Sequence, residues 1–322
     1  MLRKYAYLLA LARERHFGRA AQSCHVSQPT LSNAIRQLEA ELSVAIVERG
    51  QKFQGFTPEG LKVLEHARRM LAEQDMLRQS LRTGDLGLSG VARLGVIPTA
   101  LPSAAHLLAP FAERHPKVRV SLRSMSSREI QRGLNEFELD AGITYIDNEP
   151  LGGVRSTALY SERYFLLGRR PDLKDRPTIG WREAAACPLV LLTPDMQNRR
   201  IAEGAFRAAG SAVVPKVETN SLMNLYALVR QGPWCSVVPG QLLTLMRPDP
   251  DMVALPLIHP TVTYVVGLVH TDRDPPSPMA GALADLIATL RLATTIGDQT
   301  MCALEAHGIR LDTPLTEGTP TP

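Results

Sequence analysis

Patterns that announce catalysis or metal binding are missing from this chain. Its four cysteines, Cys24, Cys187, Cys235 and Cys302, include no CxxC pair, and its eight histidines show no metal-ligand spacing, so no metal site is expected. There is no GxSxG, no HExxH, no P-loop pattern and no GxGxxG after a strand, which leaves catalysis and any cofactor without support. No apolar run reaches the ~18 residues of a membrane span. No basic-then-apolar segment opens the chain, and with the scattered cysteines this makes a reducing cytoplasm the expected setting.

Most of the chain also lacks a surplus of either charge. Residues 91 to 322 hold 23 Lys or Arg against 23 Asp or Glu, and residues 59 to 90 hold 5 against 5. Residues 1 to 58 hold 8 against 4, so the whole net charge of +4 sits there. A small basic module on a neutral body points to a polyanion as partner of the module alone, because phosphate attraction follows local charge.

That module opens with Leu2, Tyr5, Ala6, Leu9 and Ala12 at helical spacing, and Gly18 is read as loosening the chain at the end of this helix. A short helix is expected from Arg19 to about Cys24. Ser27 can then cap a third, in which Pro29 is tolerated because the first turn needs no N–H there. Leu31, Ile35, Leu38 and Leu42 give this helix a buried stripe, while its other face carries Gln28, Ser32, Asn33, Arg36 and Gln37. A helix, tight turn and helix of this size can lay the second helix in a DNA major groove. The run "SVAIVERGQKFQGFTPEG" reads as a two-stranded wing with Arg49 and Lys52 near its tip. From Thr57-Pro58-Glu59 to about Thr83 a long helix follows. Its apolar positions on both sides want a partner helix, and Gly84, Gly87 and Gly90 detach it from the rest.

Beyond Val91 the texture becomes alternating strands and helices, the rhythm of a parallel sheet covered on both faces. Two such sets are separated by strand-rich crossings near Arg155 to Arg169 and Met252 to Val269, so the chain is expected to pass twice between two lobes. The tail, ending "TPLTEGTPTP", lacks apolar periodicity and reads as disordered.

The strings "AAQSCHVSQPTLSNAIRQLEAEL", "VERG" and "FTPEG" together resemble the LysR family of bacterial transcriptional regulators, over about residues 1 to 292. The resemblance implies an α/β protein with an N-terminal winged helix-turn-helix (1–58), a dimerising linker helix and hinge (59–90), and an effector domain (91–292). That domain would be two-lobed and like the periplasmic binding proteins, with lobe I at about 91–161 and 264–292 and lobe II at about 162–263. Residues 293–322 would be a tail disordered at its end. The implied partners are double-stranded promoter DNA, a small-molecule effector, RNA polymerase, and further copies of the chain in a homodimer or homotetramer. Three residues depart from the family pattern: Ser43 replaces a usual Gly, Val47 a common Phe and Cys24 a usual Leu. A narrower similarity, in "GVIPTALP" and "REIQRGLNEFELDAGITYIDNEPLG", is to LysR-type regulators found beside operons for NAD-dependent formate dehydrogenases.

For DNA, Gln28, Ser32, Asn33 and Arg36 share one helix face, where Gln and Asn suit adenine and Arg suits guanine or phosphate. Ser27, Pro29 and Thr30 would set the helix start beside the backbone as caps or phosphate contacts, with Arg49 and Lys52 on the wing. For a ligand, the carboxyl ends of the strands present Pro98, Thr99, Ser126, Ser127, Thr144, Thr193, Asn220 and Ser221. The family's effector pockets match Thr99, Ser126, Thr144 and Thr193 among these, although Ser, Thr and Asn also serve as ordinary helix caps. Neutral donors and helix N-termini without a ring cation favour a small, singly charged anion, and formate fits both this chemistry and the narrower similarity. Two other readings stay open: a solute-binding protein on the same fold, and a redox-responsive regulator switching through Cys187 and Cys235.

Overall fold

The computed structural model describes residues 1–48, 53–149, 151–173, 176–247 and 249–309, and the chain forms two compact units that divide between Gly87 and Leu88. In the first unit α1 (Leu2–Glu14) and α2 (Phe17–Ser23) pack on α3 (Gln28–Leu42) around Leu11, Ala20, Ala21, Leu31 and Ile35. α1 ends at Arg15, which takes the left-handed conformation with φ 49°, and Gly18 lies inside α2 and not at a helix end. His16 makes α2 start early. Its Nδ1 accepts from the N–H groups of Gly18 and Arg19, at 3.1 and 3.3 Å, capping a turn that the sequence reading begins at Arg19.

Ser27 caps α3 by accepting from the Thr30 N–H, and Pro29 sits in the first turn. Ser43 ends the helix at φ 55°, which explains why glycine suits this position: only a residue without Cβ adopts that conformation at no cost. The two arms of the wing meet at the Val47 and Phe56 bridge, and the Glu48 N–H donates to the Gly55 carbonyl at 3.0 Å. There the Glu39 carboxylate accepts from the Ile46 and Val47 N–H groups, at 2.8 and 3.1 Å. Arg49 and Lys52 lie outside the described residues. Thr57 caps α4 (Pro58–Leu86), which runs through Gly84 and three residues beyond the expected end. Leu64 and Ala67 of α4 are buried against α1, whereas Leu61, Leu77 and Leu81 are exposed.

The second unit is built on one long mixed sheet. β1 (Gly90–Val96) pairs in parallel with β2 (Val118–Ser124) and β3 (Ala141–Tyr145), with α5 (Leu101–Arg114) and α6 (Ser127–Asn135) as the crossovers. β4 (Val154–Arg169) runs 16 residues from the first half of the sheet into the second. Its first part pairs with β10 (Thr263–Thr271), which in turn pairs with β3. Its last part pairs with β8 (Ser236–Pro239) and β9 (Met252–Ile258), and β5 (Ile179–Gly180) closes that edge. Both crossings are therefore antiparallel strands of a continuous sheet, which is how one chain makes two lobes with a hinge between them.

Around the second half lie α7 (Arg170–Leu173), α8 (Trp181–Ala184), β6 (Val190–Leu192), α9 (Gln197–Ala208), β7 (Val217–Thr219), α10 (Leu222–Gln231) and α11 (Gly240–Leu243). β6 and β7 form their own parallel pair. α12 (Pro278–Leu290) returns to the first lobe.

The region read as a tail begins as a helix. α13 (Leu292–Ala306) lies against β4, α11 and α5, and it buries Leu292, Ile296, Thr300 and Leu304 at spacings of four. Thr300 hid the periodicity. Its hydroxyl is buried but satisfied, donating to the Ile296 carbonyl at 2.7 Å and accepting from the Gln241 side chain. Residues 310–322 lie outside the described residues. Among the described residues no single helix is long and apolar enough to cross a membrane.

Candidate DNA-binding face and effector crevice

On α3 the polar residues are left for a partner. Leu31, Ile35 and Leu38 are buried, while Gln28, Pro29, Thr30, Asn33, Arg36 and Gln37 are exposed and Ser32 is partly so. Arg36 makes no hydrogen bond or ion pair among the described residues. The Ser27 and Thr30 hydroxyls lie 2.8 Å apart, so the start of the helix carries two hydroxyls beside backbone N–H groups. Such an end attracts an anion and positions the helix, whereas the face from Gln28 to Arg36 carries side chains able to read base edges.

The second unit holds a crevice between the lobes, lined by Ile97, Pro98, Thr99, Ser126 and Tyr145 on one side and Leu192, Met196, Gln197 and Asn198 on the other. Its volume, counting the part open to solvent, is about 210 Å³. As it stands it admits roughly one water-sized body. Helices enter from both lobes: α5 follows the tight turn Pro98–Ala100, α9 begins at Gln197, and neither has a side-chain cap. Their N-terminal partial charges are thus uncompensated by their own sequence.

The polar atoms here are unusual for their burial. Gln197 and Asn198 are buried, yet the Gln197 Oε1 and Asn198 Nδ2 atoms have no hydrogen-bond partner among the described residues. A buried unpaired polar atom costs ~1–3 kcal/mol, and a ligand that pairs with it recovers that cost. Ser126 is differently placed, because its hydroxyl donates to Glu129 Oε2 at 2.9 Å within a capping box and so faces the crevice as an acceptor. The hydroxyls of Thr99 and Tyr145 lie 3.5 Å apart on one side, and the Asn198 amide stands on the other.

Behind Tyr145 lies a buried acid. Glu162 sits where β4 leaves β10 and joins β8, and it is 1% exposed. Tyr145 donates to Glu162 Oε1 at 3.1 Å, and Tyr164 donates to the Tyr145 hydroxyl at 3.0 Å. Burial, only partly offset by the Tyr145 and Tyr160 hydroxyls, pushes the Glu162 carboxyl up to about 8, so it is a neutral acid at pH 7. Burial and the Glu162 charge raise the tyrosines as well.

Two further contacts close the crevice from lobe to lobe. The Gln197 side-chain amide donates to the Asn148 carbonyl, and Arg200 holds Glu149 bidentately, with Nε to Oε1 at 2.7 Å and Nη2 to Oε2 at 2.5 Å. The Arg200 guanidinium beside Glu149 holds that carboxyl below its usual range.

Of the residues expected around a ligand, Pro98, Thr99 and Ser126 line the crevice. Ser127 lies behind it, its hydroxyl 3.4 Å from Arg200 Nη2. Thr144 and Thr193 keep hydroxyls that are buried and, among the described residues, unpaired, but they do not line the cavity. Strand alternation accounts for Thr144, since its neighbour Tyr145 takes the crevice side. Asn220 is exposed, and Ser221 caps α10 by accepting from the Asn224 N–H. Tyr145, Glu162, Gln197, Asn198 and Arg200 were not singled out in the sequence. Glu162 did leave a signal there, as an acid at an inward position of the strand "LYSERYFLL". Cys187 and Cys235 are thiols near the opposite end of β6 from the crevice. Cys187 lies two residues before Leu189, whose bridge partner is Cys235, whereas Leu192 at the other end of β6 lines the crevice.

Comparison with known proteins matches residues 2–61 to the bacterial regulatory helix-turn-helix proteins of the lysR family and residues 86–291 to the LysR substrate binding domain. A hydrogen peroxide-inducible genes activator of Pectobacterium carotovorum subsp. carotovorum is 30% identical over 90% of this chain and 95% of its own. The DNA-binding transcriptional dual regulator OxyR of Escherichia coli is 29% identical over 90% and 94%. A cysteine-to-aspartate variant of full-length OxyR from Pseudomonas aeruginosa superposes with a TM-score of 0.71 at 26% identity, covering 89% of this chain and 97% of that one. The helix-turn-helix unit with its unpaired polar face, the two-lobed α/β unit with its crevice, and these matches over nearly the whole chain agree: the chain belongs to the LysR family of DNA-binding transcriptional regulators.

Proposed function

We propose that this regulator binds a small, singly charged carboxylate, formate being the first candidate, in the crevice between its lobes, and that the bound ligand alters promoter binding. The observation that carries the reading is the pairing of a very small space with buried polar groups from both lobes, the Thr99 and Tyr145 hydroxyls on one side and the Asn198 amide, unpaired among the described residues, on the other. A carboxylate can accept from Thr99 and Tyr145 on one side and Asn198 on the other, with the uncapped starts of α5 and α9 adding about half a unit of positive charge each. A three-atom anion still needs the lobes to part slightly, so the Gln197–Asn148 and Arg200–Glu149 contacts give way during entry and re-form behind it.

On the DNA side, Gln28, Ser32, Asn33 and Arg36 read base edges in this proposal. Ser27, Pro29 and Thr30 start the recognition helix beside the phosphates, and Arg49 and Lys52 act from the wing. Met70, Leu77 and Leu81 recur at seven and four residues along α4, the seam of a helix pair, so α4 dimerises the chain and dimers join into tetramers. Residues 1–58, 59–90 and 91–292 then act as DNA-binding, dimerising and effector parts, and RNA polymerase is the downstream partner.

A second reading follows from the relatives named for hydrogen peroxide, with Cys187 and Cys235 as the reactive pair. The crevice weighs against it, since among the described residues no cysteine lines it. Calorimetric titration of the full chain with sodium formate, acetate and oxalate separates the readings. Formate should bind best, acetate less well and oxalate least. If none binds while hydrogen peroxide oxidises Cys187 or Cys235 and changes promoter binding, the carboxylate reading fails.

A further inference from the structure

Three features outside the direct crevice lining invite explanation: the buried acid Glu162, the Arg200–Glu149 bridge at the mouth, and an open cavity beside Trp181 and His259. Glu162 carries the argument furthest. It is fully enclosed at the strand crossing between the lobes, and Tyr145, Tyr160 and Tyr164 surround it.

The hydroxyl of Tyr145 has one proton to give and two lone pairs to receive with. Tyr164 already donates into one lone pair, at 3.0 Å. The second position is shared with Glu162 Oε1 at 3.1 Å, and the direction of that bond depends on where the proton of Glu162 lies. If Glu162 carries its proton and donates to Tyr145, both lone pairs of Tyr145 are filled and its own proton can go only to the crevice. If Glu162 is ionised, the carboxylate keeps the proton of Tyr145 and the crevice loses a donor while gaining a negative charge behind it.

We propose that Glu162 is a positioning and specificity-determining residue of the effector site: it donates to the Tyr145 hydroxyl that lies against its Oε1, and Tyr145 in turn donates to an oxygen of an anionic ligand. The inference rests on the carboxylate reading above and deepens it. No covalent step is involved. One hydrogen bond reverses direction, and the ligand takes the proton position that Glu162 held.

The surroundings support this assignment. Tyr145 from β3, Tyr160 and Tyr164 from β4, and Tyr264 across the ladder on β10 are the titratable groups that face Glu162. Tyr264 is itself turned toward Asp147, and α5 contributes Ser103 beside Tyr160. From α9 comes Asn198, while Arg199 is engaged with Glu203 and Glu218 and Arg200 with Glu149. Among the described residues no cation therefore stabilises an ionised Glu162. Burial holds its carboxyl near 8, which places the change of state within reach of a titration.

The test is calorimetric titration of the full chain with sodium formate at pH 7 and pH 9, in which the ligand stays a singly charged anion. The wild-type chain should bind about tenfold more weakly at pH 9, one unit above the point where Glu162 loses its proton. Glu162→Gln keeps a donor toward Tyr145 without a titrating group, so its affinity should change less than about twofold over the same range. Glu162→Leu removes the donor and should bind weakly at both values. Equal wild-type affinity at pH 7 and 9, or a tenfold fall that persists in Glu162→Gln, overturns the relay and leaves the carboxylate reading standing. Absence of formate binding at either pH overturns that reading and the relay with it.

Discussion

Replacing Glu162 by Gln should make the protein more stable at pH 7, an uncommon result for a change at a buried polar group. The folded state holds a proton on Glu162 up to about pH 8, whereas the unfolded chain releases it near 4.5. Between those values the folded form binds more protons than the unfolded form, so stability falls as pH rises through that window and levels off above it. At pH 7 the gap from 4.5 is two and a half units, and at 1.36 kcal/mol per unit the wild-type chain forgoes about 3 kcal/mol. The amide has no proton to lose, keeps an N–H donor toward Tyr145 and fits the same space, so the variant recovers most of this. For a unit of this size the gain corresponds to roughly 6 to 12 °C in Tm. Scanning calorimetry at pH 5 and pH 7 measures it: the two proteins should melt nearly together at pH 5 and separate at pH 7. A variant that melts below the wild type at both values, or by the same margin at both, would refute the assignment of a buried neutral acid.

Arg36→Ala should weaken promoter binding by ~1–3 kcal/mol and relax preference at one base position if Arg36 holds a guanine edge, as a gel-shift series against single-base variants would report. Leu77→Asp with Leu81→Asp should lower the oligomeric state of the full chain in light scattering, because both side chains are exposed in a single copy and carry the proposed helix seam. Ser43→Gly should stabilise the first unit by ~1 kcal/mol, since Ser43 ends α3 at φ 55°; unchanged denaturant midpoints would show that the left-handed conformation costs nothing there.

Much of this architecture could be read from residue order, for reasons that differ by region. The helix-turn-helix was legible because Ser27, Pro29 and the Leu31, Ile35, Leu38 stripe are local signals whose partners lie within a few turns. The early start of α2 was not, since it depends on His16 acting as a cap, a role that Ser, Thr, Asp and Asn usually fill. α13 was hidden by Thr300, which behaves as a core residue only because Gln241, fifty-nine positions earlier, meets its hydroxyl. The crevice divides along similar lines. Thr99 and Ser126 could be named because strand ends followed by helices mark them, but Tyr145 and Thr144 cannot be ranked without knowing which face of β3 looks into the cavity. Glu162 becomes meaningful only when three tyrosines from two strands close around it.

The central claim, that a small anion in the interlobe crevice controls DNA binding, is tested most directly by footprinting the full chain on a DNA fragment it selects from random sequence, while sodium formate is titrated. Wild-type protein should show a shift in footprint extent or affinity that saturates with formate, and Tyr145→Phe should hold its DNA in the formate-free pattern at every concentration. An identical response from the wild type and Tyr145→Phe, or no response to formate in the wild type, would contradict the account.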